Sequence, residues 1–374
     1  MEDKILSKIE ELSNDMIQDI IKIVKIDSTE KEEAIDAPFG KGVKEALDLA
    51  LKMSKELGFS TKNLDNYIGY AQYGEGNEYI CAIGHLDVVP VGEGWNNPPF
   101  SGYIENNTIY SRGVLDNKGP IISCLYAMYA LKELNIKTKF PVRVIFGCDE
   151  ETGFEDLEYY LEKEKPPIMG FTPDCKYPVV YAETGRATLT ISAGINSIKE
   201  FFKFINTYFL NAKNNGEKLG INFENKEYDS LQLRNYILEE NENEVKFVAS
   251  ISYPFGIDCD TILEKVNEEI CKFEGVKATV FNRFLPVNFP KDSFLVKSLQ
   301  YAYEKVTGLD GSPVTTSGGT YAKMMPNIVP FGPSFPGQKD ISHNPNEWMK
   351  IDDIILNAKI FALGLYRLAT DDNI

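Results

Sequence analysis

Imidazole and carboxylate are the side chains with which proteins hold catalytic divalent metals, and this chain places them together in a few loops. It has two histidines, each in a loop bounded by glycine or proline and carrying an acid. One lies in Gly84-His85-Leu86-Asp87-Val88-Val89-Pro90, the other in Ser342-His343-Asn344-Pro345-Asn346-Glu347. Three more acid-bearing segments lie between them: Arg112-Gly113-Val114-Leu115-Asp116-Asn117-Lys118-Gly119, Gly147-Cys148-Asp149-Glu150-Glu151-Thr152-Gly153 and Thr172-Pro173-Asp174. Singly, these motifs say little, because an HxD triplet arises by chance and a run of acids is usually a solvated turn. Together they hold enough ligands for two zinc ions, if two histidines and three carboxylates contribute and one carboxylate is shared. Three singly charged carboxylates against two divalent cations leave a net positive centre. Such a centre suits polarising a carbonyl and lowering the pKa of a water.

The first four of these segments in chain order follow apparent strand ends, which is where sites form in open α/β sheets. The apolar run Tyr79–Ile83 before Gly84 reads as a buried strand, and Pro141–Phe146 before Gly147 as another. Helices are predicted over Glu45–Leu57, ended by Gly58, over Pro120–Leu134 with proline in the first turn, and over Glu155–Glu164, stopped by Pro166-Pro167. The alternation predicts an α/β fold with a mainly parallel central sheet flanked by helices. From about Ala187 to about Leu285 the character changes. Helices over Ser197–Leu210 and Cys259–Phe273 alternate with strands over Val245–Ser252 and Lys277–Phe284, and the tract Asn211–Asn243 is polar. Residues 187–285 therefore read as a smaller inserted α+β domain, with 1–186 and 286–374 forming one discontinuous domain. Helices over Ser293–Thr307 and Ile351–Leu368 complete it. At the start of the insertion, in LTISAGINSIKEFFKF, a strand Leu189–Ile191 is expected to turn through Ser192, Ala193 and Gly194 into a helix.

Composition narrows the function classes. The chain has 374 residues, of which 43% are hydrophobic and 25% charged, as in ordinary globular proteins. Its net charge of −17 argues against nucleic acid or an anionic membrane surface as partner, since like charges repel. Residues 1–26 are charged throughout, with apolar positions such as Ile5, Ile9, Leu12, Ile20 and Ile23, so they predict an amphipathic helix and no signal peptide. No apolar run approaches membrane-spanning length. Cys81, Cys124, Cys148, Cys175, Cys259 and Cys271 form no CxxC pair and read as buried free thiols in a cytoplasmic protein. A monomer or a homodimer is compatible with all of this.

The motifs resemble those of the dinuclear zinc peptidases that include aminoacylase, carnosinase, succinyl-diaminopimelate desuccinylase and the bacterial PepV-type (Sapep-like) dipeptidases, the last being the most similar. GHLDVVPVGEGW, PFSG, SRGVLDNKGP, GCDEETG, GFTPD, SGGTYAK, FGPSFPG and SHNPNE carry the resemblance. It implies that His85 and Asp174 bind one metal, Glu151 and His343 the other, and that Asp116 bridges them, with a cis peptide to Asn117. The metals implied are two Zn²⁺, with Mn²⁺ or Co²⁺ as alternatives, and the substrate is a small peptide. By the same resemblance Asp87 holds the imidazole of His85, and Glu150 is the general base that takes a proton from the attacking water and passes it to the leaving amine. Asn117 stands where the dipeptidases often have an acid, a change expected to be tolerated because the residue is not a ligand. The Gly-rich turn Ser317-Gly318-Gly319-Thr320 offers N–H groups at Gly318, Gly319 and Thr320 that could receive a substrate carboxylate.

Two departures from the family pattern fall in the insertion. PepV-type enzymes carry a lid with a histidine, in a motif like SAHxSxPExGxNA, for the oxyanion of the tetrahedral intermediate. They also carry an arginine, in a motif like RYP, for the substrate's terminal carboxylate. Here Gly194-Ile195-Asn196-Ser197 follows the strand directly, as if the block with the histidine were absent, and Ser252-Tyr253-Pro254 has serine in place of arginine. Losing one oxyanion donor typically costs about 10²–10³ in turnover. Arg186, Arg283 and Lys323 are the candidate substitutes. The expected function is a metal-dependent dipeptidase with a shortened lid. Two other readings stay open: a catalytically impaired chain that binds metal and peptide, and an N-acyl amino acid or carboxypeptidase-type hydrolase of the same family.

Overall fold

The computed structural model describes residues 1–225, 227 and 230–371. The chain splits into two compact units, one made of Met1–Val180, Pro290–Pro313 and the chain from Thr320 on, the other of Tyr181–Phe289 with Val314–Gly319.

In the larger unit a six-stranded sheet runs in the order Ser60–Leu64, Ile68–Tyr73, Val142–Gly147, Ile80–His85, Met169–Thr172, Ile328–Pro330. The first two junctions are antiparallel and the remaining three parallel. The strands Ile80–His85 and Val142–Gly147 are buried at every position, as expected of parallel strands covered on both faces. The helices Glu2–Val24, Lys41–Glu56, Lys118–Glu133, Glu155–Lys163, Phe294–Thr307 and Ile351–Thr370 belong to this unit. Glu2–Val24 buries Ile5, Ile9, Ile20 and Ile23 along one stripe. Lys41–Glu56 starts ahead of the expected Glu45, after Gly40 in an extended positive-φ conformation. Phe294–Thr307 is capped by Ser293, whose hydroxyl accepts from the Val296 N–H at 3.4 Å.

The smaller unit is a four-stranded antiparallel sheet in the order Gln232–Glu240, Glu244–Tyr253, Gly185–Gly194, Val276–Phe284. One face packs against the helices Ile198–Ile205 and Cys259–Ile270, with Leu189, Ile191, Phe201, Phe204, Ala249 and Ile262 at its centre. The strand is longer than Leu189–Ile191. Ser192, Ala193 and Gly194 do not turn but continue it, paired with Lys246, Val245 and Glu244 on one side. Alternation explains this, since Ala193 points into the core while Ser192 faces out, so the period of two holds to the end. The polar tract 211–243 contains the unexpected strand Gln232–Glu240, an edge strand exposed along most of its length and so without an apolar alternation to reveal it. Ile191→Ala would leave a cavity in the centre of this core, with an expected cost of about 2–5 kcal/mol, read as a lowered urea midpoint in a fluorescence melt.

No disulfide forms. Cys81, Cys124, Cys148 and Cys259 are buried as expected, whereas Cys175 is partly exposed and Cys271 exposed, the latter just past the end of a surface helix. No helix among the described residues is long and apolar enough to cross a membrane.

Candidate metal centre

The three central parallel strands end side by side, and each delivers part of the site. His85 is the last residue of Ile80–His85, Glu150 and Glu151 follow Val142–Gly147, and Asp174 follows Met169–Thr172. Asp116 arrives from the loop before the helix Lys118–Glu133, and His343 from the loop before Ile351–Thr370. Two glycines at the strand ends leave room for neighbouring side chains, Gly84 for Asn117 beside Asp116 and Gly147 for Tyr321. A Cβ on Gly84 would lie 2.2 Å from Asn117 Oδ1, and one on Gly147 would lie 1.9 Å from the Tyr321 hydroxyl. The Asp116–Asn117 peptide is cis, as the resemblance implied.

The resulting geometry joins two groups through one carboxylate. Asp116 Oδ1 lies 3.1 Å from His85 Nε2, and Asp116 Oδ2 lies 3.1 Å from His343 Nε2. Asp174 Oδ2 adds to the first group at 3.6 Å from His85 Nε2, and Glu151 Oε1 to the second at 3.0 Å from His343 Nε2. Within His85/Asp116/Asp174, and within Asp116/Glu151/His343, all the ligand atoms lie within 4.8 Å of one another. His85 Nδ1 lies 3.0 Å from the Asp87 carbonyl oxygen and 3.4 Å from its carboxylate. A proton on Nδ1 directed at Asp87 leaves the Nε2 lone pair for the cluster, the tautomer a metal ligand needs. Asp87 Oδ2 also accepts from the Glu151 N–H at 3.0 Å, tying one loop to the next.

Charge explains why such a cluster fits divalent cations. Asp116, Glu150, Glu151 and Asp174 crowd a partly buried space, and among the described residues the two imidazoles are the cationic groups in short contact with Asp116, Asp174 and Glu151. With only the protein's own charges in play, burial and Asp174 push Glu150 well above the usual carboxylate range. Burial, with Asp116, raises Asp174 and Glu151 as well. Burial works against Asp116 too, but His343 and His85 bring it below the ordinary range. Hydrogen bonds to Asp116 and Glu151 raise His343 to about 10. Acids crowded until they resist ionisation are the donor set that two divalent cations would satisfy.

Three supporting contacts were not legible in the sequence. Asn117, fully buried, donates from Nδ2 to the Pro173 carbonyl at 2.6 Å and lies 3.4 Å from Asp174 Oδ1. An aspartate there could not donate while ionised, so asparagine does more than fill the position. Asp156 accepts from the N–H groups of Cys148 and Asp149 and from the Tyr321 hydroxyl, anchoring the start of the acidic loop. Glu347 accepts from Arg112 Nη1 at 2.8 Å and from the N–H groups of Leu115 at 2.9 Å and Asp116 at 3.1 Å, both side chains being fully buried. This pair locks the Asp116 loop to the His343 loop, and only the motifs SRG and NE hint at it. Arg112→Met would leave Glu347 buried and unpaired, with an expected loss of about 3–5 kcal/mol, measurable as a lower melting temperature.

The other candidate residues lie as follows. The Gly318 N–H is not free, since it donates to Thr316 Oγ1 at 3.2 Å, and Thr320 Oγ1 accepts from the Ala322 N–H at 3.2 Å. Gly318 and Gly319 fall in the smaller unit and Thr320 in the larger. Arg283 is paired with Asp260 at 2.6 Å. Ser252 lies directly opposite Arg186 on the neighbouring strand.

Known proteins share this architecture. The chain is 28% identical to a putative dipeptidase, YtjP, of Bacillus subtilis over 455 aligned positions, covering 95% of this chain and 97% of the relative. It is also 28% identical to a Beta-Ala-Xaa dipeptidase of Lactobacillus delbrueckii subsp. lactis, covering 96% and 97%. The first alignment is longer than the 374 residues present here, so the relative carries stretches that this chain lacks. Among solved structures, human carnosine dipeptidase 1 superposes with a TM-score of 0.76 at 17% identity, over 98% of each chain, which shows a shared fold. The profile of peptidase family M20/M25/M40 matches residues 81–367, the span that runs from the His85 strand past the His343 loop, and the chain belongs to that family.

Proposed function

We propose that this chain is a dipeptidase that works with two divalent metal ions, Zn²⁺ first and Mn²⁺ or Co²⁺ as alternatives. His85 and Asp174 would hold one ion, Glu151 and His343 the other, and Asp116 both. The single observation behind this reading is that the two oxygens of Asp116 face the two histidines, each at 3.1 Å, so that one carboxylate serves two ligand groups. When bound, the metals supply Lewis acidity, lowering the pKa of a water and polarising the peptide carbonyl.

The chain's own residues do the rest. Asp87 fixes the His85 tautomer. Glu150, not engaged in the short contacts of either histidine, takes the proton of the attacking water and returns it to the amine as the peptide bond breaks. The names of the two relatives support dipeptides as substrates. Cysteines without disulfides suit the cytoplasm. The test is a dipeptide panel with zinc- or manganese-loaded protein, followed by amino-acid analysis. Release of free amino acids is expected, and release only from N-acyl amino acids or longer peptides would redirect the reading to another hydrolase of the family.

One observation favours a second reading. Both histidines of the chain lie in the metal cluster, so none is left to act as an oxyanion donor. A chain that binds metal and peptide but turns over slowly or not at all is the alternative, and the same panel separates the two.

A further inference from the structure

A charged pocket lies within the larger unit, at the other end of the central sheet from the metal cluster. Its foundation is Arg143, near the start of the strand Val142–Gly147, whose far end leads to Glu150. At about 3.3 Å per residue the strand spans about 13 Å from Arg143 to Gly147, so the two sites are separate. The Arg143 side chain is only 5% exposed. Its guanidinium lies over the rings of Tyr70 and Tyr79, 4.1 and 4.0 Å from their centroids. Nε donates to Gln72 Oε1 at 2.7 Å, and Nη1 donates to the Tyr160 hydroxyl at 2.9 Å and to Glu164 Oε2 at 3.0 Å. Nη2 has no partner among the described residues, and it is not sealed from solvent.

Arg143 lines a pocket of about 430 Å³. Strand register assembles its walls. Ser60 pairs with Gln72 and Gln72 with Arg143, so three strands present these side chains on one face, and Lys62, paired with Tyr70, follows two residues along. Lys62 shares an acid with Arg143, its Nζ pairing with Glu164 Oε1 while Arg143 holds Oε2. Gln72, already bound to Arg143, donates from Nε2 to the Gly74 carbonyl at 3.0 Å and so fixes the start of the loop 74–77. That loop brings Glu75 and Asn77 to the pocket, and neither side chain has a partner among the described residues.

The charges select the ligand. On one wall Lys62 and Arg143 face the single carboxylate of Glu164, which leaves one positive charge over, and the loop adds one acid, Glu75. With Glu164 counted, the groups at the pocket sum to zero, which disfavours a phosphate dianion. A simple monoanion would satisfy the cationic wall and leave Glu75 unmatched. A zwitterion matches both, its carboxylate accepting from Arg143 Nη2 and Lys62 Nζ and its ammonium donating to Glu75. At about 30 Å³ per water-sized volume, the space admits an amino acid with its side chain. We propose that this pocket binds a free α-amino acid by its carboxylate and ammonium groups, away from the metal cluster. In choosing an amino acid, the product of peptide hydrolysis, this rests on the dipeptidase reading.

Calorimetric titration of the zinc-loaded full chain with alanine, propionate and inorganic phosphate tests it. Arg143 is too deeply packed for a clean variant, whereas Lys62 and Glu75 are exposed and their substitution should spare the fold, which an unchanged melting temperature checks. Lys62→Met is expected to weaken alanine binding about tenfold, the usual worth of one charge-assisted hydrogen bond. Glu75→Gln should weaken alanine by a similar factor and leave propionate, which has no ammonium, unchanged. Alanine binding that ignores both substitutions would overturn the proposal and place the ligand at the metal cluster, and no binding of alanine would overturn it as well. Inorganic phosphate competing at equal strength for the Lys62-dependent site would also overturn it, marking a general anion site. Dipeptide turnover is measured separately. If alanine binds as expected but no peptide is cleaved, the catalytic reading fails and the pocket stands. If peptides are cleaved but alanine binding ignores Lys62 and Glu75, the pocket fails and the catalytic reading stands.

Discussion

Glu150→Gln is expected to lower kcat for dipeptide hydrolysis by about 10²–10⁴, the usual contribution of a positioned general base, while leaving metal content and KM close to wild type. The reasoning is geometric. The short contacts of the two histidines engage Asp116, Asp174 and Glu151, and Glu150 takes no part in them. Glutamine preserves the shape of the side chain and its polarity but cannot accept a proton at neutral pH. A loss confined to kcat identifies a group used in the reaction rather than in binding. Steady-state kinetics together with elemental analysis of the variant reads both halves of the prediction. A fall in bound metal equal to the fall in rate would instead place Glu150 among the ligands.

Asp116→Asn should have a larger structural consequence, the loss of both metals together. Each Asp116 oxygen serves a different ligand group, so replacing one oxygen by an amide weakens both groups at once. Substitution at Asp174 or Glu151 should instead weaken one site and spare much of the other. The expected metal content is about two per chain in wild type, well under one in Asp116→Asn, and about one in Asp174→Asn, since metal affinity follows the count of deprotonated ligands. Elemental analysis after dialysis reads this directly. Equal loss from Asp116→Asn and Asp174→Asn would mean that the carboxylate is not shared.

Most of the candidate ligand cluster was legible because its chemistry is concentrated. With two histidines in the whole chain, both beside acids at loop positions, few assignments remain, and the family resemblance divides them. The strands that lead to His85 and Glu150 were legible for a similar reason, since fully buried parallel strands read as apolar runs ending in glycine or a polar loop. The Arg112–Glu347 pair was not, because the partners are far apart in the chain and neither is unusual in its local setting. The donation from Asn117 to the Pro173 carbonyl shows only in three dimensions. The strand Gln232–Glu240 was hidden by its exposure, as an edge strand has no buried face to impose alternation. At Ser192-Ala193-Gly194 small residues suggested a turn, yet the in–out pattern continued through them and tertiary pairing on both sides kept the strand extended. The join into the following helix is therefore a regular sheet end. The Ile195 N–H closes it by donating to the Asn243 carbonyl at 3.1 Å.

The most direct test is a metal titration of the dialysed protein in the presence of a dipeptide such as alanyl-alanine, following release of alanine against equivalents of Zn²⁺ added. The rate should rise and reach its plateau at about two equivalents per chain, and the same titration of Glu150→Gln should bind the same metal without the rate. Two equivalents bound with release no faster than in Glu150→Gln would contradict the dipeptidase assignment and leave a chain that binds metal and peptide without cutting it.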